Sequence, residues 1–244
     1  GGIRGVFVAE CLRQLKDPWA REHVHAVSGA SVGSIVAACV AGHGVNIGTA
    51  IDSLSQRHFV QPKSTCSKVM RAISMWRGTQ PAYYEPTDLE SAIQSVLAGS
   101  GNADCNLAIV ATDAETKTQR CFHVQRGEPI DPTVVMASCS IPGMFPPVEI
   151  GGRMYVDGGL FSQYAEEPLM HDLTGQSDAS VVLVMSCTPW AHSIRNHDTA
   201  VQSVLRVFSE DMFNAQRSVV NERVMGTIGL AHAPAPRFAA VCAN

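Results

Sequence analysis

The stretch Gly29-Ala30-Ser31-Val32-Gly33 has the pattern G-x-S-x-G, in which a serine stands on a sharp turn between a strand and a helix. Residues 24–28 before it form a short apolar run that favours a buried strand. Residues 34–41 after it are rich in small apolar side chains, which favours a helix. Glycines let the backbone turn tightly, so the Ser31 hydroxyl would stand at the positive N-terminal end of that helix.

Two further motifs carry polar groups on glycine-rich turns. Gly1-Gly2-Ile3-Arg4-Gly5 precedes a helical pattern over residues 6–15, and such a loop can direct backbone N–H groups at a phosphate or at a reaction oxyanion. Asp157-Gly158-Gly159 follows a predicted strand over residues 153–156, which places a carboxylate at a strand end with little bulk beside it. Each motif alone is also typical of an ordinary turn.

In this order the motifs resemble the patatin-like phospholipase family, whose pattern is G-G-G-x-[RK]-G, then G-x-S-x-G, then D-G-[GA]. A fourth stretch, A-S-C-S-I-P-G-M-F-P-P over residues 137–147, is similar to the family segment A-S-x-[SA]-I-P-x-x-F-P-P. The resemblance runs from Gly1 to about Leu169. Two departures are visible: the sequence starts inside the glycine-rich loop, without the family's first strand, and residues 160–168 lack the Asn-x-Pro that often follows D-G-G.

The resemblance implies an α/β fold, a three-layer α/β/α sandwich with a central, mostly parallel sheet. Alternating helix and strand patterns along the chain favour the same class. We expect one domain over residues 1–230 and a loose, proline-containing tail over residues 231–244. Elements are predicted as strands over 107–112, 118–124 and 180–186, a helix over 87–97 opened by a Thr87–Glu90 capping box, and a short helix begun by Asp131-Pro132.

The resemblance also implies a site in which serine and aspartate act without histidine. Ser31 would be the nucleophile and Asp157 the base that takes its proton. Backbone N–H groups of Gly1, Gly2 and Arg4 would form the oxyanion hole, with the Val32 amide as a further donor. The glycines expected to support these turns are Gly5, Gly29, Gly33, Gly158 and Gly159.

A Ser-Asp-His triad stays open as an alternative, because four histidines follow Asp157 in the chain. They are His171, His192, His197 and His232. None has a clear strand-end signature, so a surface position is the more ordinary explanation for each. His123 lies within a predicted strand, which favours a place on a sheet face over a catalytic role.

The predicted function is that of a lipid acyl hydrolase of the phospholipase A or lysophospholipase type, working through an acyl-enzyme. Its expected substrate is a phospholipid or lysophospholipid, met in peripheral contact with a membrane surface. An acyltransferase or thioesterase using the same dyad remains an alternative, and so does a non-catalytic lipid-binding module. No cofactor is expected, since no carboxylate and carbonyl cage for calcium is recognisable.

Composition bounds these interpretations. Hydrophobic residues make up 45% of the 244 residues and charged residues 16%, which is typical of a globular chain, and a net charge of -4 gives no electrostatic case for nucleic acid. The eight cysteines include no C-x-x-C pair and the nine histidines no H-x-x-x-H pair, so no metal site is expected. Buried thiols favour a reducing, cytoplasmic location. The sequence starts with a motif glycine, which leaves an upstream targeting segment open.

A basic segment over residues 57–77 yields a first testable prediction. It contains no acidic residue and five basic ones: Arg57, Lys63, Lys68, Arg71 and Arg77. One side of a helical pattern here carries the apolar residues Val69, Met70, Ile73 and Trp76. This suits either an active-site cover alone or a segment that both shields the acyl pocket and docks the protein on anionic lipid. If it docks, changing Lys68, Arg71 and Arg77 to Gln should weaken binding to anionic vesicles by up to ~1 kcal/mol per charge.

Vesicle co-sedimentation at low salt measures this effect, and turnover of a soluble short-chain ester is its control, which should stay unchanged. Equal binding by the wild type and the triple variant would show that the segment does not dock on lipid.

Overall fold

The computed structural model describes residues 24–42, 74, 82, 84, 86–98 and 100–160, together with the backbone of residues 181–186 and 237–242. Strands β1 (Ala26–Ala30), β2 (Asn106–Asp113), β3 (Gln119–Val124), β4 (Val148–Ile150) and β5 (Arg153–Asp157) form one sheet. The described helices are α1 (Val32–Ala41), α2 (Pro86–Leu97) and α3 (Pro132–Cys139). Strands β6 (Val181–Ser186) and β7 (Arg237–Cys242) pair in a separate sheet.

Strand β2 is the centre of the five-stranded sheet, and its pairings decide which chain ends meet. β3 pairs antiparallel with β2 from Leu107 to Thr112. β1 pairs parallel with β2 as far as Val110, and β5 pairs antiparallel with it from Ala111 onward. Because β3 occupies one edge of β2 along both stretches, β1 and β5 share the other edge. Their C-terminal ends therefore face each other along that edge.

The hydrophobic core lies where the helices pack on this sheet. Leu107 and Ile109 of β2 are almost fully buried in one cluster with side chains of α1, α2 and α3. Ala108 and Val110, which alternate with them and point to the opposite face, are buried too. Helix α1 is buried at every position from Ser34 to Cys39, as expected for a helix without a polar face. Burial of both faces of β2 is typical of a sheet covered on both sides.

The predicted α/β fold is confirmed, and its sheet is mixed within the described residues. The β1–β2 and β6–β7 pairings are parallel, whereas β2–β3, β2–β5 and β4–β5 are antiparallel. Tight turns produce two of the antiparallel pairs. Asp113 accepts hydrogen bonds from the N–H groups of Glu115 and Thr116 after β2, and Gly151 and Gly152 take positive φ angles of 58° and 78° between β4 and β5.

Two sequence predictions are corrected by the structure. The tail over residues 231–244 is not loose throughout, because residues Arg237–Cys242 form β7 and pair in parallel with β6. This run is largely apolar and lies beyond the last proline, so its backbone can join a ladder. Helix α2 begins at Pro86, so Thr87 lies inside the first turn and is not its N-cap. Proline suits the first helical position because it has no N–H to satisfy there.

The short helix predicted at Asp131 is observed as α3. Its N-cap is Asp131, whose carboxylate accepts a hydrogen bond of 2.8 Å from the Thr133 N–H, and Pro132 follows at the first helical position. The last residues of α3 lie against the turn that follows β1. This packing of α3 positions the residues of the candidate site.

Candidate active site

Ser31 occupies a strained turn between β1 and α1. Its φ of 56° and ψ of -133° lie outside the regions that L-residues favour, and such a conformation costs about 1–3 kcal/mol. Gly29 makes the turn sterically accessible, since a Cβ there would lie 2.2 Å from the Gly33 carbonyl oxygen. Gly33 has open space around its own Cβ position. Of the two motif glycines, only Gly29 is required by close backbone contact.

The main chain of Ser31 is held on both sides by hydrogen bonds. Its N–H donates to Ser138 Oγ at 3.0 Å, and the Ser138 hydroxyl donates onward to the Val110 carbonyl at 2.6 Å. Its carbonyl accepts from the Ser34 N–H at 2.8 Å, the Ser34 hydroxyl at 2.6 Å and the Cys139 thiol at 3.1 Å. The end of α3 and the first turn of α1 thus fix the strained residue together.

Asp157, the last residue of β5, meets the Ser31 side chain across the gap between the two strand ends. The Ser31 hydroxyl donates to Asp157 Oδ2 at 2.6 Å. The Gly159 N–H donates to the other carboxylate oxygen, Oδ1, at 2.7 Å. The Asp157 main chain is also anchored, since its N–H donates to the Ser140 carbonyl at 2.9 Å and its carbonyl accepts from the Thr112 hydroxyl at 2.9 Å. Both oxygens of this carboxylate are therefore oriented.

Burial changes the acidity of the titratable groups at this site. Asp157 is only 4% exposed, and desolvation raises its pKa, although the hydrogen bonds from Ser31 and Gly159 act in the opposite direction. The carboxylate is consequently a better proton acceptor than an exposed one. Burial and the nearby Asp157 charge raise the pKa of Cys139 to about 12. Cys139 therefore stays a protonated thiol that donates to the Ser31 carbonyl, and it is not a nucleophile.

Close contacts also require glycine at the two positions after Asp157. A Cβ at Gly158 would lie 2.0 Å from the Val110 carbonyl oxygen, and one at Gly159 would lie 2.9 Å from Asp157 Oδ1.

Val32 is the first residue of α1, where N–H groups have no partner within the helix. His123 lies on β3, on the edge of β2 away from Ser31, and is exposed.

The remaining predicted site residues lie outside the described part of the chain. They are Gly1, Gly2, Arg4 and Gly5 of the glycine-rich loop, the histidines His171, His192, His197 and His232, and the basic segment 57–77 apart from Ser74. Over the described ranges, no group of three or more His, Cys, Asp or Glu side chains is arranged to hold a metal ion. The helices described there are also too short or too polar to cross a membrane.

Three residues around the site were not assigned by sequence reasoning. Ser138 and Ser140 stand in the segment 137–147 that carries part of the family resemblance, but the letters alone gave them no partner. Thr112 is one β-branched residue in a buried strand, and nothing in the sequence indicated a place for it at the site. Only the sheet register brings it to Asp157.

The comparison with protein families decides the assignment. The family described as patatin-like phospholipase matches residues 1–170, which is well over half of the chain and includes both Ser31 and Asp157. The chain belongs to the patatin-like phospholipase family. The resemblance predicted from the four motifs is thereby confirmed.

Comparisons with individual proteins add less to this family assignment. No curated protein matches the chain significantly. Among solved structures, this patatin-like chain is similar to VipD from Legionella pneumophila, with a TM-score of 0.33 and 14% sequence identity. The alignment covers 65% of this chain and 44% of the VipD chain, so the chain spans less than half the length of that protein.

The different surroundings of the two motif glycines predict different tolerance to a methyl group. Gly29→Ala should lower the free energy of unfolding by about 1–3 kcal/mol, because its Cβ would overlap the Gly33 carbonyl. Gly33→Ala should leave stability unchanged or raise it by up to ~1 kcal/mol, since alanine favours a helix over glycine and meets no atom within 4 Å. Chemical denaturation of both variants measures the difference. Equal destabilisation by the two substitutions would contradict it.

Proposed function

We propose that this chain is a lipid acyl hydrolase of the phospholipase A or lysophospholipase type, with Ser31 as nucleophile and Asp157 as general base. The observation that carries the proposal is the 2.6 Å hydrogen bond from Ser31 Oγ to Asp157 Oδ2. A serine hydroxyl is a weak nucleophile until a neighbouring group accepts its proton, and this contact supplies such a group directly. Membership of the family supports a lipid ester as the substrate.

Acylation would begin when Asp157 takes the Ser31 proton as Oγ bonds to the ester carbonyl carbon. The carbonyl electrons move to oxygen, and the tetrahedral oxyanion then collapses. The bond to the leaving alkoxide breaks, and Asp157 returns the proton to it. Water attacks the resulting acyl-enzyme with Asp157 again as base, which releases the fatty acid and restores the serine.

The oxyanion would be stabilised by backbone donors. We assign this role to the N–H groups of Gly1, Gly2 and Arg4 from the family pattern, joined by the Val32 N–H at the start of α1. The Ser31 N–H is not assigned to it, because it donates to Ser138. Removing one such donor in other enzymes costs ~10²-fold or more in rate. The choice of which amides bind the oxyanion therefore affects the rate strongly.

A dyad without histidine needs something to orient its base. In serine triads a carboxylate orients the histidine. Here the Gly159 N–H bonds Oδ1 and leaves Oδ2 directed at Ser31, while Ser140 and Thr112 hold the Asp157 backbone. The raised pKa of Asp157 supports its use as a base, since a stronger base takes the serine proton more readily.

A fluorophosphonate probe tests this assignment, since it labels only an activated serine. Ser31→Ala should abolish labelling and hydrolysis while leaving the circular dichroism spectrum unchanged. Asp157→Asn should be nearly as damaging, because the amide is similar in size but cannot accept a proton. The matched controls are His171→Ala, His192→Ala, His197→Ala and His232→Ala, which should each keep most activity. A loss of ~10³-fold or more in one of them would replace the dyad with a triad.

Substrate class is tested by offering labelled phospholipid, lysophospholipid, triacylglycerol and acyl-thioester side by side. We expect the two phospholipid classes to be hydrolysed fastest. A faster reaction with the thioester, or transfer of the acyl group to an added alcohol in preference to water, would assign the dyad to another acyl-transfer reaction. An unlabelled Ser31 in folded wild-type protein would indicate a non-catalytic lipid-binding module.

Burial of Asp157 predicts opposite effects of pH on activity and stability. The base works ionised, so activity should fall as pH drops through its raised pKa, at a pH above the ~3.9 of an ordinary aspartate. Because the folded pKa is higher than the unfolded one, ionised Asp157 lowers stability, fully so above the folded pKa and not at all below ~3.9. Asp157→Asn should therefore unfold at higher denaturant than wild type at pH 8, and this advantage should shrink towards pH 4. A variant less stable than wild type at pH 8 would contradict this.

A further inference from the structure

Ser138 joins three elements of the site through one buried hydroxyl. Its side chain is 0% exposed, at the C-terminal end of α3. The hydroxyl has a single proton, which it donates to the Val110 carbonyl of β2 at 2.6 Å. Its lone pairs are then directed at the Ser31 N–H, which lies 3.0 Å away. The first bond therefore fixes the direction of the second.

The Val110 carbonyl lies at the point where the ladder on this edge changes partner. β1 ends opposite Val110, and β5 ends opposite the next residue, Ala111. Gly158 passes so close that any Cβ would overlap this carbonyl oxygen. Val110 is fully buried, so water cannot take the place of a protein donor here. The Ser138 hydroxyl supplies that donor and ties α3 to the gap between the strand ends.

We propose that Ser138 is a positioning residue, which holds the main chain of Ser31 on its strained turn so that Ser31 Oγ stays at hydrogen-bond distance from Asp157. The proposal rests on the proposed function, because it concerns the same reaction. A conformation with positive φ at a non-glycine residue persists only when its surroundings hold it there. The Ser31 carbonyl is held by Ser34 and Cys139, whereas its N–H is held by Ser138.

Loss of the Ser138 hydroxyl should therefore slow the chemistry without weakening substrate binding. In Ser138→Ala the partly buried Ser31 N–H loses its acceptor, and the turn can relax towards an ordinary φ. A displacement of about 1 Å between reacting groups can cost ~10²-fold in rate. We expect the rate of fluorophosphonate labelling, and kcat for a soluble short-chain ester, to fall about 10- to 100-fold. KM should change less than about twofold, because Ser138 is fully buried and out of reach of a substrate.

Two matched variants separate positioning from a general loss of stability. Val135→Ala removes buried methyl groups from the same helix but leaves the Ser138 hydroxyl in place, and it should lower Tm while labelling stays at the wild-type rate. Ser138→Thr keeps the hydroxyl but adds a methyl group in a fully buried place, so it should lower Tm and yet label faster than Ser138→Ala. Should the alanine variant not fold, Ser138→Cys takes its place, since a thiol of similar size is a weak acceptor and should slow labelling at least about 10-fold.

The outcomes distinguish this proposal from the proposed function. Wild-type labelling that is lost in Ser31→Ala establishes the function, and a slowed Ser138→Ala with an unaffected Val135→Ala then supports the positioning role. Labelling of Ser138→Ala at the wild-type rate would overturn the positioning role and leave the function standing. Loss in proportion to Tm across all variants would also overturn it. Absence of labelling in folded wild-type protein would overturn both.

Discussion

The site depends on one edge of β2, where the C-terminal ends of β1 and β5 face each other. β1 stops opposite Val110 and β5 stops opposite Ala111, so the residues that leave the two strands must turn out of the sheet at the same place. Ser31 and Asp157 are 126 residues apart in the chain, and this register brings Ser31 Oγ to 2.6 Å from Asp157 Oδ2. Neither residue lies on a long flexible loop. A shift of β5 by one residue would point the carboxylate to the other face of the sheet, because side chains alternate along a strand.

The same arrangement concentrates unfavourable terms at the site, and the surrounding core offsets them. Ser31 holds a strained φ, and Asp157 is a carboxylate removed from water. Both are destabilising by themselves, and both are kept in place by elements that are buried for other reasons. Helix α1 and the centre of β2 pack into one continuous hydrophobic cluster, which limits the movement of the turn between β1 and α1 together with the hydrogen bonds to the Ser31 main chain. The strained serine and the buried carboxylate are thus held by the packing around them.

How much of this could be predicted from sequence follows from how local each signal is. The serine turn, the Asp131 cap of α3 and the carboxylate before two glycines are encoded in a few adjacent residues, and the structure shows the expected elements at each. The order of strands is not local. The sequence of β5 does not indicate that this strand pairs antiparallel with β2. The short β4–β5 hairpin before the D-G-G motif was not predicted either. Ser138 was visible only as one letter of a family segment, because its two partners lie 28 and 107 residues away.

The contacts of that segment give a physical reason why it accompanies the other three motifs. Three consecutive residues at the end of α3 contact the main chains of Ser31 and Asp157. Ser138 accepts from the Ser31 N–H, Cys139 donates to the Ser31 carbonyl, and the Ser140 carbonyl accepts from the Asp157 N–H. The serine turn and the aspartate belong to different strands. Their separation therefore stays constant only if an element that contacts both of them holds it. Because one helix end bonds to each, a movement of α3 would carry both main chains with it, and the contact between Ser31 and Asp157 is protected against such movement.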